Sequence, residues 1–92
     1  MLTMWATVED YKEYLKESAP KEYRELRKAN RLDEVATRAI ESARRYYNET
    51  LEMLEARNPS PKTDDVLEIY RHQQMLEAQA RELTNAYLYQ RD

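Results

Sequence analysis

The 92-residue chain contains no glycine, no cysteine and no phenylalanine. Each absence removes a class of function. Without glycine there is neither a phosphate-binding loop nor a dinucleotide-binding fingerprint, because both require backbone positions that only glycine tolerates. Without cysteine there is no disulfide framework, thiolate zinc site, iron–sulfur cluster or cysteine nucleophile. Aliphatic residues are few as well: ten leucines, two isoleucines and three valines. That is below the roughly 20% line at which disorder becomes a concern. The net charge of −3 is small, however, and the apolar residues are strongly periodic, so a folded chain is expected.

No apolar run approaches the ~20 residues that span a bilayer. The opening Met1-Leu2-Thr3-Met4-Trp5-Ala6 is too short and too weakly flanked for a signal peptide. A cytoplasmic protein is the expectation. What the chain does have is alanine, leucine, Glu, Lys, Arg and Gln in abundance, all good helix formers, so an all-α fold is predicted.

Three prolines and a few polar caps divide the chain. Thr7, with Asp10 three residues on, has the pattern of a capping box opening a helix over about 8–17. Pro20 ends that run and suits the first position of a second helix, about 20–29. Asn30 marks the next boundary, either closing the second helix or capping a third. The third helix reads without interruption over about 31–57. Asn58-Pro59-Ser60-Pro61-Lys62-Thr63 is the clearest loop, and a fourth helix follows over about 63–89. One domain is expected: two short helices over 1–30, then a long helical hairpin over 31–92 with its loop at 58–63.

The long helices carry matching seams. Val66, Ile69, Gln73, Leu76, Ala80, Leu83 and Tyr87 alternate steps of three and four, an a/d heptad stripe. Ala36, Ile40, Ala43, Tyr47, Thr50 and Leu54 do the same in the third helix. A short loop predicts antiparallel packing that pairs residues whose numbers sum to roughly 120. Leu54 would meet Val66, Tyr47 would meet Gln73, Ala43 Leu76, Ile40 Ala80, and Ala36 Leu83. Tyr46, Tyr70 and Met75 lie off these seams and are candidate interface residues. So small a core is marginal alone, and self-association or a protein partner is the physical expectation.

Catalytic apparatus is not visible. His72 is the sole histidine, and Glu68 one turn before it makes only a single His–carboxylate pair, short of any known metal motif. No carboxylate pair is marked as buried, and serine has no glycine elbow to expose it. No enzyme activity, metal or cofactor is therefore expected. Charge is unevenly spread. Lys21, Arg24, Arg27, Lys28 and Arg31 crowd together with only Glu22 and Glu25 opposing them, whereas residues 64–92 hold three basic and six acidic groups. Lys21, Arg24, Lys28 and Arg31 are expected on one helical face, suited to nucleic acid or to an acidic partner. Eight tyrosines and no phenylalanine fit rings that are half-buried or meet another chain.

Tyr14-Leu15-Lys16-Glu17, a proline shortly after, Tyr23-Arg24-Glu25-Leu26 and Leu32 resemble the opening of the transposon-encoded TnpV family. Ala80-Arg81-Glu82-Leu83 and the closing Leu88-Tyr89 are similar to that family's end. The resemblance spans about residues 14–89. The chain departs from the family in having Ala29-Asn30 and a proline loop where glycine is usual, and in lacking the N-terminal extension. The resemblance implies a small accessory protein of mobile elements and brings no catalytic residues. The functional expectation is thus a non-enzymatic helical interaction protein of a mobile element or phage. A nucleic-acid-binding regulator is the alternative, and an inhibitor of a host or defence protein a further one.

Overall fold

The computed structural model describes residues 5–89; Met1 to Met4, part of the stretch weighed above as a leader, lie outside the described residues. The described chain is all-α: α1 (Val8–Ser18), α2 (Pro20–Lys28), α3 (Leu32–Arg57) and α4 (Val66–Leu88), with no strand among these residues. It divides into two compact units, residues 1–44 and 45–92, the division falling within α3.

In the first unit, α1 and α2 pack against one another. Thr7 caps α1 reciprocally with Asp10. The Thr7 side chain accepts from the Asp10 amide at 3.1 Å, and the Asp10 carboxylate accepts from the Thr7 amide at 3.0 Å. Two of the donors that a helix start leaves unpaired are thereby satisfied. Pro20 holds the first turn of α2, where its missing N–H costs nothing. Lys12 links α1 to the first turn of α3, contacting Glu9 at 3.3 Å and also Asp33. The hydrogen bond that the Lys12 ammonium donates to the Asp33 carboxylate is the main reason that it is held above its ordinary pKa; partial desolvation opposes it, and Glu9 assists. Leu15 on α1 is fully buried.

Asn30 settles the boundary after α2. It is the one described non-glycine residue with positive φ, at 62°. Its amide donates to the Arg27 carbonyl at 3.1 Å, and the Arg31 amide donates to the Leu26 carbonyl at 2.9 Å. This crossed pair is the Schellman closure, which needs a left-handed residue at the position after the cap. Glycine usually fills it; in a chain without glycine the residue is asparagine, whose short polar side chain tolerates that region better than others do. Asn30→Ala is therefore expected to lower stability by about 1 kcal/mol, and Asn30→Gly to leave it nearly unchanged. Thermal melts followed by circular dichroism check both.

In the second unit, the end of α3 and α4 run antiparallel, as three contacts show. Gln73 donates to the Glu55 carboxylate at 2.9 Å, and the His72 Nε2–H donates to the Asn58 backbone carbonyl at 2.8 Å. The Tyr46 and Tyr87 rings stack with centroids 4.4 Å apart and planes 4° from parallel. This register differs from the expected one, in which Glu55 would face Asp65, Asn58 would face Lys62 and Tyr46 would face Gln74. The displacement amounts to between about two and four helical turns. The loop contributes only about two residues of it. Thr63 does not start α4: its hydroxyl accepts from the Asp65 amide at 3.1 Å, making a turn. Asp65 is the true N-cap and accepts from the Leu67 amide at 3.0 Å. The connection thus runs over 58–65, and α4 begins beyond the end of α3 rather than level with it.

Burial follows α3 closely. Ala36, Ile40, Ala43, Tyr47 and Thr50 are all buried, and Leu54 is half-buried. On α4 the buried residues are Leu76, Ala80, Thr84 and Leu88, so Thr84 and Leu88 stand where the heptad reading put Leu83 and Tyr87. Leu83 and Tyr87 are exposed. From Leu76 the buried residues advance in steps of four, and each step carries the stripe about 40° further round the helix, so it winds away from the heptad positions Leu83 and Tyr87. Thr84 enters the interior without leaving a polar atom unpaired, because its hydroxyl donates to the Ala80 carbonyl at 2.7 Å.

Candidate interaction surface

The first two turns of α4 form the most apolar exposed stretch in the second unit. Because Asn58, the residue after α3, lies level with His72, residues 66–71 run on with no α3 beside them. At ~1.5 Å per residue that overhang is about 9 Å long. Val66 is 78% exposed and Tyr70 59%, and Leu67 and Ile69 are exposed with them. Val66 and Ile69 belong to the predicted seam, and so does Gln73, which is half-buried. Of the stripe read on α4, only Leu76 and Ala80 in its middle are buried; Leu83 and Tyr87 below them are exposed. The upper part, with Val66 and Ile69, faces outward. The expected partners of these positions are accordingly absent: Val66 does not reach an interior with Leu54, and Gln73 binds Glu55 rather than Tyr47.

The other candidate interface residues separate. Tyr70 and Met75 are exposed, whereas Tyr46 is half-buried under its stack with Tyr87. Met53 on α3 is also exposed. Tyr47 is 3% exposed, and burial pushes its phenol above the ordinary tyrosine pKa; Glu77 and Glu55 reinforce that rise and Arg81 opposes it.

The basic cluster is rearranged relative to its sequence reading. Lys21, Arg24, Arg27 and Lys28 are exposed on α2 and, with Glu25, line a surface cavity of about 590 Å³. Arg31 does not share that face. The left-handed turn at Asn30 separates it from α2, and its guanidinium turns to Glu34 at 3.7 Å. Glu34 also receives Arg38 at 3.0 Å. Three of the four predicted residues therefore remain together, and Arg27 joins them.

His72 serves the hairpin register through Asn58. Among the described residues no group of three or more His, Asp or Glu is placed to hold a metal ion, and no helix is long and apolar enough to cross a membrane. Sequence reading missed the free end of α4 because heptad spacing says which face is apolar, not how far a neighbouring helix extends. Comparison with protein-family models, curated proteins and solved structures finds no match to this chain.

Proposed function

We propose that the chain is a non-enzymatic interaction module that binds another protein through the exposed apolar start of α4. One observation carries this reading: four large apolar residues, Val66, Leu67, Ile69 and Tyr70, stand exposed within five consecutive positions. Single exposed apolar side chains are ordinary on a soluble protein; a contiguous group of this kind marks a contact surface. Tyrosine adds broad contact area together with a hydroxyl that tolerates water when unbound. The mobile-element or phage setting rests on the resemblance of residues 14–89 to the TnpV family.

A triple variant, Val66→Ser, Leu67→Ser and Tyr70→Ser, changes only exposed side chains, so its helix content should match that of the parent. Affinity capture with the two proteins side by side is expected to lose the bound protein in the variant. Equal capture by both overturns the reading.

The cluster of Lys21, Arg24, Arg27 and Lys28 supports a second reading, contact with nucleic-acid phosphates. On that reading affinity falls steeply with added salt, and Arg24→Ala with Lys28→Ala flattens the salt dependence. A titration of DNA and RNA at several ionic strengths that shows no salt-sensitive binding removes it.

A further inference from the structure

We infer that the overhanging start of α4 docks against the same segment of a second copy of this chain, in a two-fold antiparallel pairing. This rests on the interaction-module reading above and names its partner.

The geometry of the overhang is self-complementary. Val66, Ile69 and Gln73 continue the stripe that Leu76 and Ala80 bury lower on the same helix. The stripe is thus a seam whose neighbouring helix stops at Arg57. What fits is a helix segment of about the overhang's own length, antiparallel to α4, lying on the line along which α3 would have continued. The overhang of another copy meets each of these requirements at once. With a two-fold axis beside Ile69, the partner's α4 begins level with the end of α3. A two-fold contact uses the same patch on both sides and closes at two chains.

Charge agrees with that arrangement. Arg57 carries the positive charge of the last turn of α3, and Asp64 and Asp65 precede the first turn of α4. In the pairing, Arg57 approaches Asp64 and Asp65 of the partner subunit, and the symmetric contact repeats this. The partial negative charge at the α3 C-terminus likewise meets the partial positive charge at the partner's α4 N-terminus. The covered area is small, since Val66, Ile69 and Tyr70 of each copy, with Leu67 turned away from the pairing, fall short of the 1,200–2,000 Å² of a standard interface. The dimer is accordingly weak and concentration-dependent.

The absence of cysteine provides a direct test. Ile69→Cys places a single thiol beside the axis, where two copies come within disulfide reach. Gln79→Cys places one on an exposed position further along α4. Under mild oxidation the first variant is expected to form a covalent dimer rapidly, and the second to remain at one chain. Sedimentation of the unmodified protein should show the mass rising from 11.1 kDa toward twice that value with concentration. Tyr70→Lys, a substitution at an exposed site that leaves the helix intact, should hold it at one chain. A mass that stays at one chain at every concentration overturns the inference, and so do equal yields of disulfide at positions 69 and 79. If the mass stays at one chain while capture of a different protein still depends on Val66, Leu67 and Tyr70, the inference fails and the broader reading stands.

Discussion

Alanine in place of Tyr47 is expected to cost about 3–5 kcal/mol, the range for deleting a buried aromatic ring. A domain of this size has a total stability of roughly 5–15 kcal/mol, so the variant would be close to unfolding. Its melting temperature should fall by more than about 10 °C. Tyr47→Phe separates the ring from the hydroxyl. It keeps the packing and is expected to retain most of the stability at neutral pH. The two variants differ again in alkali. Burial raises the folded-state pKa of the Tyr47 phenol above the value near 10 that it has when unfolded, with Glu77 and Glu55 adding to the rise and Arg81 opposing it. A group whose folded pKa is raised contributes stability that is complete below the unfolded pKa. That contribution is lost as pH rises through the folded pKa. The parent protein should therefore lose stability above about pH 10, and Tyr47→Phe should lose less. Urea unfolding at a series of alkaline pH values measures the difference, and phenolate absorbance reports the titration itself.

Leu76→Ala is the second large effect. Leu76 is 1% exposed, one of the three largest fully buried side chains among the described residues. Removing its branched end takes away the transfer free energy and leaves a cavity, together about 2–5 kcal/mol. The urea midpoint should fall with little change in slope, because a smaller side chain alters stability far more than the surface exposed on unfolding. Leu83→Ala is the informative comparison. Both residues belong to the heptad stripe read from the sequence, but Leu83 is exposed, and its truncation should change stability by less than about 0.5 kcal/mol. A larger loss at Leu83 than at Leu76 would mean that the heptad stripe, not the drifted one, faces the interior.

That contrast shows what the sequence reveals and where it falls short. Local chemistry is legible residue by residue. Thr7 with Asp10, Pro20 and Asn30 each impose a backbone geometry that few alternatives satisfy, and helix ends are found at those positions. The buried stripe of α3 is legible for a similar reason: Ala36, Ile40, Ala43, Tyr47 and Thr50 repeat over four turns, and no charged residue interrupts them. Two things are not. One is the phase of a stripe over many turns: from Leu76 onward the buried residues advance by four, which exchanges Leu83 for Thr84 and Tyr87 for Leu88. The other is register. Spacing within a helix contains no information about how far its neighbour reaches, and the loop length that bears on it turned on whether Thr63 or Asp65 caps α4. The capping choice accounts for only about two residues of the offset that leaves the start of α4 free. The basic cluster shows the same dependence, because Arg31 leaves the α2 face through the backbone turn at Asn30.

The hydrogen bond from His72 to Asn58 distributes its constraint unequally between its two ends. The donor is a side chain, and the acceptor is a main-chain carbonyl. Every residue type supplies that carbonyl, so position 58 can change identity without dissolving the bond, although the present asparagine also closes α3 by donating to the Leu54 carbonyl at 2.9 Å. Position 72 has no such freedom, because the reach and the ring N–H belong to the histidine. In a library of single substitutions, this latch would register as an intolerant site on α4 facing a permissive one at the end of α3. A pairwise covariation signal between the two would be faint despite their direct contact.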